Sequence, residues 1–302
     1  MPAFSGFIEM DCTGTPHRPK LPPWIRVKVN SGHAREDVSS ILTGLRLNTV
    51  CSSARCPNLN ECWHRRTATF MILGEFCTRN CRFCAVGHSV APAPPDPDEP
   101  ERLAAAAAKM ELKYVVVTSV TRDDLPDGGA GHFAAVINAL RRTIPEAGIE
   151  VLTPDFNGDT DALKTVLAAG PTVFNHNVET VRRLSVMIRS KADYSRSLAV
   201  LKAAAEIGGG AIPVKSGIMA GLGETDDEVV QTLRDLRAAG VSILTIGQYL
   251  PPSAGHWPLD RYVEPEKFDE WGRTARELGF AFVASAPLVR SSYNAAELIR
   301  KN

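Results

Sequence analysis

Short apolar runs rich in β-branched residues recur along the chain from residue 67 onward, and they predict strands. These runs occupy residues 67–73, 114–120, 149–152, 172–175, 212–219, 242–247 and 280–284. Apolar positions at helical spacing separate most of them, at residues 131–143, 161–169, 195–206, 228–239 and 266–278. A further helix is predicted around the alanine run 104–108, because alanine is the strongest helix former.

Strands that alternate with helices predict βαβ units and a parallel sheet. Parallel connections are right-handed, so about seven such units wind most easily into a full or partial barrel. Reactive loops of such barrels follow the C-terminal ends of the strands. A doubly wound open sheet is the alternative, but Gly221-Leu222-Gly223 lacks the third glycine of a dinucleotide fingerprint. We therefore predict an α/β fold built as a partial parallel (β/α) barrel.

Composition narrows the function classes. The chain has 302 residues, 44% of them hydrophobic, and a formal net charge of zero. The balanced charge argues against nucleic-acid binding, and no apolar run reaches the ~20 residues that cross a membrane. Residues 1–30 are proline-rich, and Glu9 and Asp11 interrupt any run of signal-peptide length. Free thiols persist in a reducing compartment, so a cytoplasmic location is expected.

Six of the seven cysteines form two triplets with different spacings, Cys51, Cys56 and Cys62 (C-x4-C-x5-C) and Cys77, Cys81 and Cys84 (C-x3-C-x2-C). Soft sulfur ligands suit iron–sulfur clusters, and three thiolates leave one iron of a cubane cluster without a protein ligand. An open coordination site marks a reactive metal centre. Disulfides and zinc are the alternatives, but neither triplet shows the paired C-x2-C spacing of zinc sites. Cys12 is isolated and is predicted to be a free thiol.

The second triplet, with Phe83 directly before its last cysteine, resembles the signature of the radical S-adenosylmethionine (SAM) enzymes. In that family SAM chelates the open iron through its amino and carboxylate groups. The first triplet, together with Arg290-Ser291-Ser292-Tyr293, resembles the lipoyl synthase family, whose pattern maps a fourth auxiliary-cluster ligand to Ser292. The resemblance extends through CPNLNEC, FNHNVETV and KSGIMAGLGET over nearly the whole chain. Departures at Arg66, Ser190, Ala286 and Asn294 touch no predicted ligand.

This resemblance implies an organisation and a set of cofactors. It implies a radical SAM partial barrel at residues 67–285, an N-terminal extension 1–66 with the auxiliary cysteines, and a C-terminal extension 286–302 with the serine. Two [4Fe–4S] clusters and SAM are the implied cofactors. Phe83 is an implied cofactor-binding residue, as is Arg189, which lies in a segment resembling a family block near the SAM carboxylate.

The implied reaction inserts two sulfur atoms at C6 and C8 of an octanoyl chain carried on a lysine of an acceptor protein. These C–H bonds are unactivated, so the chemistry requires a cofactor rather than a side-chain base. By the family mechanism, the cluster on Cys77, Cys81 and Cys84 splits SAM to a 5′-deoxyadenosyl radical, and the auxiliary cluster is consumed as sulfur donor. The implied acceptors are lipoyl domains of 2-oxoacid dehydrogenase complexes and the glycine-cleavage H protein, with ferredoxin or flavodoxin as electron donor.

Rival functions make different demands on the cysteines. An enzyme that inserts sulfur into a free small molecule, as biotin synthase does, would not need the upstream triplet and the serine motif. A non-catalytic two-cluster electron carrier would use complete four-cysteine sets on a small fold.

Other polar groups have both structural and functional interpretations. Thr225 and Glu228 are spaced as a capping box after the turn at residues 221–224, which could also border the adenosine of SAM. Two of the three carboxylates Asp123, Asp124 and Asp127 are predicted to form turns or caps. His176, at a strand end, is interpreted as either a pocket residue or a hydrogen-bonded structural histidine.

Overall fold

The structure, a computed structural model, describes residues 21–26, 34–64, 68–292 and 295. Cys12, Arg66, Tyr293 and Asn294 lie outside the described residues, as does most of segment 1–30. The strands are β1 (Asn48–Thr49), β2 (Thr69–Ile72), β3 (Phe76–Cys77), β4 (Gly87–His88), β5 (Tyr114–Ser119), β6 (Gly148–Leu152), β7 (Val173–Asn175), β8 (Val214–Ala220), β9 (Ile243–Gln248) and β10 (Phe282–Ser285). The helices are α1 (Ala34–Gly44), α2 (Val50–Ser53), α3 (Leu59–His64), α4 (Glu99–Lys109), α5 (Ala130–Thr143), α6 (Thr160–Ala168), α7 (Arg182–Ile188), α8 (Tyr194–Gly208), α9 (Asp226–Ala238) and α10 (Pro265–Glu277).

Eight strands form one sheet in the order β1-β2-β5-β6-β7-β8-β9-β10. The seven strands from β2 to β10 pair in parallel, and β1 adds to the edge of β2 in the antiparallel direction. The strand order never reverses, so the sheet has no switch point and is not doubly wound. It has two free ends among the described strands, which makes it a partial rather than a closed barrel. The predicted fold class is confirmed.

The elements agree closely with the sequence pattern. All seven predicted strands are present, and their observed bounds differ from the predicted ones by two residues or fewer. The five helices predicted from spacing agree equally well, and the alanine run lies inside α4. The short helices α2, α3 and α7, the edge strand β1 and the small sheet of β3 and β4 were not predicted, because segments of two to seven residues carry too little periodicity. The 11-residue helix α1 was also not predicted.

The strands β2, β5, β6, β7, β8 and β9 are largely buried on both faces, as expected for a parallel sheet covered by its crossover helices. Val115 and Val117 on β5 and Ile149 and Val151 on β6 are fully buried, and neighbouring helices α4, α5 and α6 pack side by side outside them. The apolar face of each helix supplies the other half of this core. Among the described residues, no helix combines the length and the hydropathy that a bilayer crossing requires.

A buried ion pair crosses the interior of the sheet. Glu150 on β6 and Lys215 on β8 are each 1% exposed, and the lysine Nζ lies 2.8 Å from the glutamate Oε1. Asn175 Nδ2, on the intervening β7, donates to the same carboxylate at 3.0 Å, and the Tyr114 hydroxyl donates to its other oxygen at 3.1 Å. Four neighbouring strands are thereby joined by one hydrogen-bonded carboxylate.

Replacing Lys215 with methionine is expected to lower the free energy of unfolding by about 3–5 kcal/mol, because it leaves the Glu150 carboxylate buried without a cation. The double variant Lys215→Met with Glu150→Leu, which removes both charges, is expected to lose much less. Urea unfolding followed by circular dichroism measures both changes. Equal losses in the single and double variants would show that packing, and not the uncompensated charge, is responsible.

Candidate active site

The loop that carries the second cysteine triplet begins after β2, where hydrogen bonds fix the backbone of Leu73. Leu73 has a left-handed backbone (φ 69°), and its amide donates to the buried Glu99 carboxylate at 2.9 Å. Its carbonyl accepts a hydrogen bond from Arg122 Nη1 at 3.1 Å. Pairing of β3 with β4 then fixes the first cysteine of the loop, Cys77. The loop is therefore held at its start by side chains distant in sequence.

The three cysteines of this triplet are partly buried. Burial raises the pKa of the Cys81 thiol, and it raises the pKa of Cys84 to about 12. Neighbouring cysteines add to both shifts, because like charges disfavour a second thiolate, whereas backbone hydrogen bonds from Ser190 and Val86 oppose them. Bound iron would reverse this balance, since a coordinating thiol is deprotonated by the positive metal. The donor set therefore fits an iron–sulfur cluster.

The first cysteine triplet is held by two short helices. Thr49 caps α2, which carries the buried Cys51, and the Cys56 amide donates to the Cys51 carbonyl at 3.0 Å. Burial raises the pKa of Cys51, hydrogen bonds from Thr69 lower it, and the nearby Cys56 raises it further. Cys62, on α3, is partly buried and packs against the hydrophobic core. Bound iron would likewise favour the thiolate form of Cys51.

The C-terminal segment packs beside the first triplet. Asn58 Nδ2 donates to the Leu288 carbonyl at 2.8 Å, and the Gln248 amide donates to the Pro287 carbonyl at 3.0 Å. The segment passes so close to β9 that a Cβ atom at Gly247 would collide with the Val289 carbonyl oxygen. Only glycine permits this approach. The packing brings Ser292 into the neighbourhood of the first triplet.

Both triplets open onto one cavity of about 470 Å³ at the C-terminal ends of the strands. Residues from β2, β5, β6, β8 and β9 and from the loop after β7 line it, which requires a curved sheet. The predicted site residues that line it are Cys51, Cys56, Cys77, Cys81, Cys84, Phe83, Arg189 and Ser292. Cys62 is the one predicted ligand that does not reach its wall. Within the described residues, no three Cys, His, Asp or Glu side chains lie close enough to hold a single metal ion.

Arg189 is a buried cation at the cavity wall. It is 7% exposed, and its guanidinium donates to Ser197 Oγ at 3.0 Å and to the Asn177 carbonyl at 3.4 Å. Burial lowers its pKa, while attraction from Glu179 and Cys81 opposes the shift. Burial also raises the pKa of the Glu179 carboxyl. A guanidinium with donor capacity and little solvent suits the carboxylate of a bound ligand.

His176 combines both of its predicted interpretations, since it lines the cavity and is fully hydrogen-bonded. Its Nδ1 lies 2.9 Å from the Thr153 carbonyl, which can only accept, so Nδ1 carries the proton. Nε2 then accepts from the Ser197 hydroxyl at 3.0 Å. Burial, with Arg189 nearby, lowers the pKa of His176 to about 4 and keeps the ring neutral. The histidine therefore orients Ser197, which in turn accepts from Arg189.

Three polar atoms on the cavity wall are buried without a hydrogen-bond partner among the described residues, namely Ser119 Oγ, Thr153 Oγ1 and Asn177 Oδ1. Buried polar groups are nearly always satisfied in proteins, so a bound molecule is the expected partner. The apolar wall beside them includes Met71, Phe83 and Met219. A ligand with a polar amino-acid part and a flat ring, such as SAM, fits this mixture.

The loop after β9 closes over the second triplet, which sequence reasoning did not anticipate. The Trp257 amide donates to the Arg82 carbonyl at 2.7 Å, and the Arg82 guanidinium lies 4.5 Å from the centre of the Trp257 ring. His256 Nε2 lies 3.2 Å from the Cys84 carbonyl. No local signal could reveal these contacts, because more than 170 residues separate the partners.

The remaining polar predictions have mixed outcomes. The capping box of Thr225 and Glu228 is confirmed, and the turn at residues 221–224 does not line the cavity. Of the three carboxylates after β5, only Asp127 caps backbone amides, those of Gly129 and Gly131. Asp123 and Asp124 occupy the two central positions of a turn that the Leu125 amide closes on the Arg122 carbonyl at 3.1 Å, so the prediction that two of the three form turns or caps is confirmed. Asp123 and Asp124 also form ion pairs, with Arg79 and Arg122 respectively.

Comparisons with known proteins agree with this geometry. The Radical SAM superfamily matches residues 71–236, more than half of the chain. A crystal structure of a maturase of the [FeFe]-hydrogenase shares the fold, with a TM-score of 0.58 at 16% identity over 83% of this chain and 63% of that one. The barrel and its cysteine loop are thus those of a radical SAM enzyme.

Relatives with more than half of their residues identical are lipoyl synthases. Lipoyl synthase of Chlorobium limicola is 52% identical over 93% of this chain and 96% of its own length. Lipoyl synthase of Nitratidesulfovibrio vulgaris strain Hildenborough is 55% identical over 91% of each chain. The chain belongs to the lipoyl synthase family. It is accordingly a radical SAM sulfurtransferase that uses SAM and two [4Fe–4S] clusters, as the sequence motifs predicted.

Proposed function

We propose that Cys77, Cys81 and Cys84 hold the radical SAM cluster of this chain. Cys51, Cys56, Cys62 and Ser292 would hold the auxiliary cluster. The observation that carries the proposal is the single cavity onto which both triplets and Ser292 open. Cys62, on α3, is the one proposed ligand that does not line this cavity.

When bound, the clusters and SAM supply a 5′-deoxyadenosyl radical and the sulfide that is inserted at C6 and C8 of the protein-bound octanoyl chain. The chain's own residues hold, orient and shield these reactants. Arg189, oriented by Ser197, would bind the SAM carboxylate. The hydroxyls of Ser119 and Thr153 and the side-chain oxygen of Asn177, which have no partner among the described residues, would form hydrogen bonds with its polar groups. Phe83 and the methionines would cover its apolar parts and exclude water.

These assignments imply a domain organisation for the chain. Residues 1–66 would form an extension with the auxiliary cysteines, 67–285 the barrel, and 286–302 an extension that supplies the serine. The bond from Asn58 to Leu288, which joins the first extension to the last, supports a site shared between the two.

The acceptor would be an octanoylated lipoyl domain of a 2-oxoacid dehydrogenase complex or the H protein of glycine cleavage. Both present the octanoyl group on a long lysine arm, which suits a cavity recessed at the end of a barrel. Ferredoxin or flavodoxin would supply the electrons that the radical SAM cluster requires.

Mass spectrometry of an octanoyl-lysine acceptor peptide tests the function. The protein is reconstituted anaerobically with iron and sulfide and supplied with SAM and a strong reductant. The expected product has gained two sulfur atoms and lost the matching hydrogens, with 5′-deoxyadenosine as co-product. Formation of 5′-deoxyadenosine with an unmodified peptide would retain the radical assignment and contradict the substrate.

Replacing Arg189 with glutamine is expected to raise the dissociation constant for SAM about 10- to 100-fold, the range set by one charge-assisted hydrogen-bonded contact. Equilibrium binding of SAM to the oxidised, reconstituted protein measures the change. Arg182→Gln is the matched control, because Arg182 begins helix α7, which Arg189 directly follows, but pairs with Ser195 and Asp235 outside the cavity. If both variants bound SAM equally well, Arg189 would not be a ligand of its carboxylate.

A further inference from the structure

Two backbone amides donate hydrogen bonds to the sulfur of Cys77. The Arg79 amide lies 3.4 Å from Sγ, and the Thr121 amide lies 3.3 Å from it. Arg79 belongs to the cysteine loop, whereas Thr121 follows the end of β5. Amide donors to a cluster sulfur stabilise the more negative, reduced cluster more than the oxidised one, and they therefore raise its reduction potential.

Thr78 joins the two elements that supply these amides. Its own amide and its hydroxyl both donate to the Thr121 carbonyl, at 2.9 and 3.0 Å. The hydroxyl oxygen also accepts from the Asp123 amide at 3.0 Å. Thr78 is 4% exposed, so these bonds do not compete with solvent. The hydroxyl thus fixes the end of β5 against the cysteine loop.

The Arg79 side chain fixes the same loop from the other side. Its Nε and Nη2 form a bidentate pair with Asp123 at 2.9 and 2.8 Å, and Nη2 also donates to Asp155 at 2.7 Å and to Asn157 at 2.8 Å. Asp155 is fully buried and accepts from Arg196 as well, at 2.8 Å. Asp123 follows β5 and Asp155 follows β6. The guanidinium therefore anchors the loop to the ends of two strands.

We propose that Thr78 and Arg79, the latter through Asp123 and Asp155, are positioning residues that set the reduction potential of the radical SAM cluster. They do so by holding the amides of Arg79 and Thr121 on Cys77 Sγ. The inference rests on the proposed assignment of Cys77, Cys81 and Cys84 as ligands. A less negative potential leaves more of the enzyme reduced, and so competent to cleave SAM, at a given potential of the electron donor.

Charge and hydrogen-bond geometry make opposite predictions for one substitution. Asp123→Ala removes a negative charge near the cluster, which by Coulomb attraction alone would raise the reduction potential. It also removes the bidentate anchor of Arg79, which by the positioning argument lowers the potential. Thr78→Val changes no charge and almost no volume, so any lowering there comes from the lost hydroxyl. Thr78→Ser keeps the hydroxyl and is the matched control.

The experiment uses the full chain with Cys51, Cys56 and Cys62 replaced by alanine, so that one cluster contributes to the signal. After anaerobic reconstitution, iron and sulfide are counted, and the midpoint potential is measured by redox titration with electron paramagnetic resonance. Thr78→Val and Asp123→Ala are expected to disfavour reduction about tenfold, a shift of about 59 mV to more negative potential for one electron. Thr78→Ser is expected to match the parent chain.

Hydrogen exchange gives a readout that does not depend on the cluster. In the cluster-free protein, the Thr121 amide is expected to exchange faster in Thr78→Val than in Thr78→Ser. Faster exchange together with an unchanged midpoint potential would overturn the inference, and so would a positive shift in Asp123→Ala. If Asp123→Ala does not retain iron, the midpoint potentials of Thr78→Val and Thr78→Ser, which change no charge, test the inference by themselves. Failure of the parent chain to load one [4Fe–4S] cluster would instead overturn the ligand assignment on which the inference rests.

Discussion

Replacing Cys81 with alanine is expected to abolish the formation of 5′-deoxyadenosine from SAM. The loss should exceed ~100-fold, because removing a ligand costs more than the 10- to 100-fold typical of groups that only support ligands. Cys81 lies between the other two cysteines of its loop, and the Cys84 amide donates to its carbonyl at 3.0 Å. Chromatography of anaerobic reaction mixtures measures 5′-deoxyadenosine directly.

Cys12→Ala is the control for this variant, since it also removes one thiol but lies in neither triplet. It is expected to produce 5′-deoxyadenosine at the parental rate. Persistent production in Cys81→Ala would overturn the assignment of the second triplet to the radical SAM cluster.

Replacing Cys56 with alanine is expected to separate the two halves of the reaction. Formation of 5′-deoxyadenosine should continue, whereas sulfur insertion into the octanoyl peptide should stop, because the auxiliary cluster loses a ligand and the radical SAM cluster does not. Cys56 lies in the connection between α2 and α3, which is separate from the loop that carries the second triplet. The measurement pairs mass spectrometry of the peptide with quantification of 5′-deoxyadenosine and an iron count.

Two results would contradict this prediction. Sulfur insertion that survives in Cys56→Ala would show that the first triplet does not hold the sulfur source. Loss of 5′-deoxyadenosine as well as sulfur insertion would show that the two cysteine sets do not act as separate clusters.

Local sequence predicted the strands and helices well, since each has its own hydrophobic period and most have clear ends. It also predicted five of the cysteines that line the cavity, because the cysteine spacings are short and chemically specific. It predicted the turn at Asp123 and Asp124 from the loop composition, but it did not predict that both carboxylates pair with arginines. The two arginine partners lie at very different sequence separations. Arg122 is two residues from Asp124, but Arg79 is 44 residues from Asp123.

The sequence by itself determined the order of the barrel's elements, the two cysteine sets and the family to which the chain belongs, because these depend on local spacing and on motifs. Only the tertiary structure decided which side chains meet. It joined Glu150 to Lys215 inside the sheet, Arg79 to Asp155 beneath the cysteine loop, and Arg189 through Ser197 to His176. Parallel strands bring residues that are tens of positions apart to the same end of the sheet, and burial then makes each polar group find a partner there.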